Sequence, residues 1–201
     1  LVDVLRAFND QWPDVSLRLH TEALGAVPQL VHDGICDLGI GGPIEDEAMA
    51  RGLERRAIDS VQMVPVAGAS HPLTRAPRPI PSARLAGHVQ IVLSERGPKA
   101  GTVDRGVLSP RTWRVADLET KQLLLVTGFG WGNMPEHRVG ADLAAQRLIR
   151  LDPEAWSPED HRIGMYAIFR RDAPPGPAGR WLLDHLRESR SAPQERPTTS
   201  T

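Results

Sequence analysis

From Gly106 to Leu151 the chain runs GVLSPRTWRVADLETKQLLLVTGFGWGNMPEHRVGADLAAQRLIRL, an order of elements that marks an α/β lobe. Thr112 to Val115 reads as a short strand. Asp117 then caps a helix over Leu118 to Val126, with Glu119 in the first turn, where the helix dipole favours a carboxylate. Gly128 ends it. Gly128 to Asn133 (GFGWGN) reads as a glycine-rich turn that Met134-Pro135 stops. Val139, Leu143 and Ala144 give the next helix, and Arg147 to Leu151 a second strand. No nucleophile, metal cage or phosphate loop is visible here. GFGWGN has the wrong spacing for a dinucleotide fingerprint and follows a helix rather than a strand.

Outward from this stretch the same alternation continues. Leu1, Val4, Leu5, Phe8 and Trp12 recur at helical spacing, and Pro13-Asp14 stops that helix. Val15, Leu17, Leu19 and Thr21 alternate with polar residues and predict a half-buried strand over 15–22. Val27, Leu30 and Val31 predict a short helix closed by Gly34. Asp37 to Ile40 is a short strand entering Gly41-Gly42-Pro43. Leu53 to Ile58 and Val61 to Ala67 read as two strands. Residues 68–82 carry four prolines, followed by a strand over His88 to Ser94 and a loop over Arg96 to Arg111. Arg162 to Arg170 is a long apolar strand, Ala178 to Arg187 a final helix with Trp181, Leu182 and Leu186 on one face, and Ser189 to Thr201 a floppy tail. The class is α/β. Strands 61–67 and 162–170 bracket a block with its own strands and helices. The expected organisation is therefore lobe I over 1–66 and 166–190, lobe II over 67–165, and a disordered tail over 191–201. A cleft between lobes is a preferred ligand site.

Composition excludes several classes. The chain has 201 residues and 40% apolar content, and no run approaches the roughly 20 apolar residues of a membrane helix. Lys+Arg 24 against Asp+Glu 25 leaves no basic footprint for nucleic acid. Cys36 is alone and has no Lys, Arg or His beside it in sequence, so it reads as a small residue at a turn, not a reactive thiol. The seven His are dispersed without metal-ligand spacing, and no Ser/His/Asp set suggests itself, so neither metal, cofactor nor catalytic residue is expected. Opening on Leu1 inside an amphipathic pattern, the chain reads as cut from a longer protein.

The residues then match a family. Phe8, Pro13, Val15 and Leu17; Gly34, Asp37, Leu38 and Ile40; Val66 with His71-Pro72-Leu73; and Asp117, Leu118, Lys121, Gly128, Gly130, Trp131, Gly132, Met134 and Pro135 together resemble the effector-binding domain of LysR-type transcriptional regulators, over residues 1–188. The resemblance implies two Rossmann-like lobes with a two-segment hinge, similar to type 2 periplasmic binding proteins. It implies a small-molecule effector in the interlobe cleft, a cytoplasmic location, and a homodimer or tetramer that contacts DNA only through an N-terminal helix-turn-helix. It also implies dimer surfaces on helix 1–12, strand 15–22 and helix 117–127, with Leu5, Phe8, Leu17, Leu118, Lys121 and Leu125. Gly68 and Ala116 stand where family members often carry a hydroxyl, which leaves room for a more apolar or aromatic effector. An extracytoplasmic solute-binding protein of the same fold is the alternative; upstream sequence separates the two.

Candidate effector contacts follow from strand ends, beyond which ligands gather in α/β lobes. Ser94 and Arg96 follow strand 88–93, and Arg96 is either a fork for a carboxylate or a solvated loop arginine. Gly42 and Pro43 follow strand 37–40, as a close approach to ligand or a plain turn. Trp131 is either a stacking surface or, the better reading, a core tryptophan. Asn133 offers an amide. Trp113 reads as core.

Overall fold

The computed structural model describes residues 2–22, 26–43, 52–94 and 106–191. In chain order its elements are α1 (Val2–Gln11), α2 (Ala26–His32), β1 (Gly39–Gly41), β2 (Leu53–Gly68), a 3₁₀ turn (Pro72–Arg75), α3 (Ser82–Ala86), β3 (Gln90–Leu93), β4 (Thr112–Val115), α4 (Leu118–Val126), β5 (Trp131–Pro135), α5 (Glu136–Ala144), β6 (Leu148–Arg150), a second 3₁₀ turn (Glu159–His161), β7 (Arg162–Arg170) and α6 (Pro177–Ser191). They fall into two compact units. The first gathers residues from 1–22, 27–59 and 164–201, the second chiefly 60–163.

In the first unit β7 stands between β1 and β2. It pairs antiparallel with β1, from Gly39↔Ile168 to Gly41↔Tyr166. Val31, Leu53 and Ile168 form its buried cluster, with Val27, Cys36 and Tyr166 packed against them. The amphipathic spacing of α1 buries Val4 and Phe8, and the Phe8 ring lies 5.9 Å from that of Trp181 on α6.

In the second unit the last part of β2 runs antiparallel to β5 on one side, from Met63↔Pro135 to Ala67↔Trp131. On the other side it pairs with β6, from Val66↔Arg150 to Gly68↔Leu148. β3 is parallel to β5 at Gln90↔Trp131 and parallel to β4 from Gln90↔Thr112 to Leu93↔Val115. Alternation along β2 feeds two cores. Val64 and Val66 join Ile91, Leu125, Met134, Val139 and Leu148, while Ala67 joins Leu73, Ala76, Ile80, Leu85, Trp131 and Leu151. Each buried Val, Leu, Ile or Met side chain in them contributes about 1.5–3 kcal/mol.

Several sequence expectations are corrected. Residues 15–22 form no strand, and Val15, Leu17 and Leu19 are exposed; alternation shows which face a strand would bury, but no described strand lies alongside to pair with it. The two strands over 53–58 and 61–67 are one continuous strand, since the polar Asp59-Ser60 pair does not interrupt the backbone ladder. The GFGWGN turn is half strand: Trp131 to Pro135 is buried throughout. Its glycine serves close approach rather than turning, because a Cβ on Gly132 would stand 2.6 Å from the Ile91 carbonyl oxygen. Trp113 is 49% exposed, on an edge strand, against the Phe129 ring at 4.1 Å. The last helix continues through Ser191, into residues read as tail; 192–201 and the Arg96 loop lie outside the described residues.

Candidate functional site

The register of the second unit sorts the candidate residues. Ser94 and Ala116 come together, because the Ser94 amide donates to the Val115 carbonyl at 2.9 Å where the parallel strands β3 and β4 end. Helix α4 begins there, with the Asp117 carboxylate accepting from the Thr120 amide at 2.7 Å and from the Thr120 hydroxyl at 2.9 Å. Gly68 does not join them. Its neighbour Ala67 pairs with Trp131 and Gln90 pairs with Trp131, so Gly68 lies at the amino end of the parallel strands, on the order of 15 Å from Ser94 by strand rise. A Cβ there would stand 2.6 Å from the Leu125 carbonyl oxygen, so packing under the end of α4 explains the missing side chain. Gly42 and Pro43 close β1 in the first unit. Arg96 lies outside the described residues.

Trp131 is fully buried within its apolar cluster, and its indole N–H has no partner among the described residues. Two residues on, Asn133 donates from Nδ2 to the Gly106 carbonyl at 2.8 Å. The Gln90 amide donates to the same oxygen at 2.8 Å, while its own carbonyl accepts from the Leu108 and Ser109 amides. Gly106 has φ +71° and a Cβ there would meet Asn133 Nδ2 at 2.7 Å, so glycine alone fits. Trp156 and His161 flank the same spot, stacked at 3.4 Å, and His161 Nδ1 lies 2.6 Å from the Ser157 carbonyl. In this nook Asn133 Oδ1 is buried with no hydrogen-bond partner among the described residues. A buried acceptor left unmade costs about 1–3 kcal/mol, and an incoming hydroxyl or N–H would recover it. The sequence singles out Asn133 as a candidate but not Gln90, Trp156 or His161, which the structure places beside it. Glutamine inside an apolar strand was the available signal for the first; no spacing signal marks the aromatic pair.

The helix α4 residues expected at a dimer surface take different positions. Leu125 is fully buried in its own unit, Lys121 is 4% exposed, and Leu118 packs on the same core. Glu119 and Leu123 face solvent. In the first unit Phe8 is buried, Leu5 half-buried and Leu17 exposed.

Other charged groups have structural partners. His71 Nδ1 accepts from the Leu73 amide and caps the 3₁₀ turn. Burial, followed by the neighbouring His88, pushes its pKa down to about 4. The buried Asp142 carboxylate accepts from Gln122 at 2.5 Å and Arg147 at 2.6 Å. In the first unit a hollow of about 430 Å³ is lined by His32, Gly52, Arg170, Arg171 and Asp172, with Arg170 paired to Asp172 at 3.6 Å. Among the described residues no group of three or more His, Cys, Asp or Glu could hold a metal ion, and no helix is long and apolar enough to cross a membrane.

The family described as the LysR substrate binding domain matches residues 1–191. The chain belongs to that family. No curated protein sequence matches this LysR substrate-binding domain. Among solved structures it is similar to the regulatory domain of CcmR from Synechocystis PCC6803 in complex with 2-PG, with TM-score 0.73 and 17% identity over 94% of this chain and 89% of that one. It is also similar to the regulatory domain of MetR, a LysR family regulator from N. meningitidis, with TM-score 0.70 and 16% identity over 93% and 86%. A third is the effector binding domain of QuiR in complex with shikimate, with TM-score 0.69 and 16% identity over 94% and 88%. At these identities the likeness is one of fold, a mixed α/β fold of the type 2 periplasmic-binding-protein kind.

Proposed function

We propose that this LysR substrate-binding domain is the sensing part of a cytoplasmic transcriptional regulator, and that a small polar molecule is its effector. The observation that carries the reading is the match of residues 1–191 to the family. The unpartnered Asn133 acceptor supplies a polar anchor of the kind an effector needs. Two domains of similar fold hold small molecules, 2-PG and shikimate. The effector occupies the cleft between the lobes and binds one lobe arrangement better than another, so it shifts a population. In a homodimer or tetramer that shift passes to a DNA-binding helix-turn-helix elsewhere in the regulator. Ser94 and Ala116 at the ends of β3 and β4 line the effector's approach, with Gly42, Pro43 and Arg96 as further contacts. Helices α1 and α4 supply the subunit contacts.

A thermal-shift screen of the chain against small polar metabolites tests this, with the recovered ligand identified by mass spectrometry. A hit is expected to raise the melting temperature saturably and return unchanged; at a concentration of one hundred times Kd the gain is about 2.7 kcal/mol. Asn133→Leu is expected to weaken that hit at least tenfold. Conversion of the ligand would overturn the sensing reading in favour of an enzyme.

A further inference from the structure

Lys121 is one of two lysines in the chain and is almost fully buried. It has no hydrogen-bond or ion-pair partner among the described residues, unlike the buried Asp142, which Gln122 and Arg147 satisfy. Its aliphatic stem is enclosed by the sheet and helix, a setting in which an apolar residue of similar volume is the more stable choice. Its Cε lies against the backbone of Gly132, 3.2 Å from where a Cβ would stand. Helical Cα–Cβ bonds tilt toward the helix N-terminus, so from α4 this side chain leans toward the end where Ser94 and Ala116 close β3 and β4. No ionisable residue occurs on β3 (QIVL) or β5 (WGNMP). β4 carries Arg114, which has an interaction of its own, as does His137 on α5. Among the described residues the remaining charges on these elements have partners: Asp117 with Thr120, Glu119 with Arg138, Glu136 with Arg150 and Asp142 with Arg147; Glu95 and Arg96, next after Ser94, lie outside the described residues.

We propose that Lys121 is the counter-charge of an anionic effector group, a carboxylate or phosphate seated at the carboxyl ends of β3 and β4. The assignment rests on the sensing reading above and narrows its ligand class to oxyanions. Burial lowers the pKa of the Lys121 amine to about 8, which leaves it protonated at neutral pH and open to loss of its proton just above.

The test is a titration of the chain with acetate, benzoate, salicylate and inorganic phosphate, the three carboxylates matched by acetamide, benzamide and salicylamide, read by melting temperature and calorimetry. At least one oxyanion is expected to bind saturably, its amide at least tenfold more weakly. Lys121→Met is expected to lose that preference while folding normally. Should Lys121→Met not fold, the wild-type pH series decides: oxyanion affinity is expected to fall about tenfold from pH 7 to pH 9 as the ammonium deprotonates, and a flat profile overturns the proposal. Equal oxyanion binding by wild type and Lys121→Met also overturns it, as does silence across the panel. A response to the amides alone overturns the oxyanion site and leaves the sensing domain standing.

Discussion

The two units of this domain are built to different depths. Among the described residues the second unit buries two clusters, one on each face of its strands, with seven residues in each. The first unit buries a cluster of three and one helix pair closed by Phe8 and Trp181, while Val15, Leu17, Leu19, Ile35 and Ile40 remain exposed. A strand set covered on both faces gains burial from every alternate residue, so the second unit stabilises itself and tolerates the cost of placing Asn133, Gln90 and Lys121 inside. The first has a smaller described core, and among its described residues no polar or charged side chain is buried as a whole, though the Trp12 indole nitrogen is. The buried polar side chains among the described residues all belong to the unit with the larger core.

That contrast can be broken most directly at Trp131. Trp131→Ala is expected to cost about 3–5 kcal/mol and to unfold the second unit in chemical denaturation. Next, amides of β1 and β7 are expected to exchange hydrogen faster than those of β5 and β3, since local opening follows local burial; slower exchange in the first unit would reverse the comparison. A smaller effect comes from acid. The fold favours neutral His71, holding its pKa below the ordinary value of 6.5 at about 4. Its contribution is therefore fully present above pH 6.5 and is lost as pH falls from 6.5 toward 4, on the order of 2 kcal/mol. Melting curves between pH 7 and pH 4.5 should show this loss, reduced in His71→Asn. Asp117→Ala, which removes the cap of α4, is expected to cost about 1 kcal/mol. Arg138→Ala, at a surface pair with Glu119, should change stability by less than about 0.5 kcal/mol.

The fold class and most element positions were legible because their signals are local. Asp117 caps the helix it was read to cap, and Arg162–Arg170 is the strand its apolar run predicts. Failures came where a partner decides the outcome. Glycines at 130 and 132 look like a turn until β3 is known to run beside them, and Val15 to Leu19 looks like a strand until no neighbour pairs with it. The site was half legible for the same reason. Ser94 stands out for following a strand and Ala116, like Gly68, for a position where the family often carries a hydroxyl, whereas separating Gly68 from the other two needed the antiparallel register of β2 and β5. Nothing in the spacing of Lys121 announces its burial, since its isolation is a property of the elements packed around it.

The boundary between the units falls inside β2, whose sixteen residues are one uninterrupted strand. Side chains on a strand alternate with a period of two, so the count of residues along the second half of this strand decides which of them enter the second unit's core. Deleting or inserting one residue between Met63 and Val66 would turn one of Val64 and Val66 to the opposite face. A two-residue change would keep both on the face they now bury, so this stretch counts in even steps, a frame imposed by geometry rather than by the genetic code.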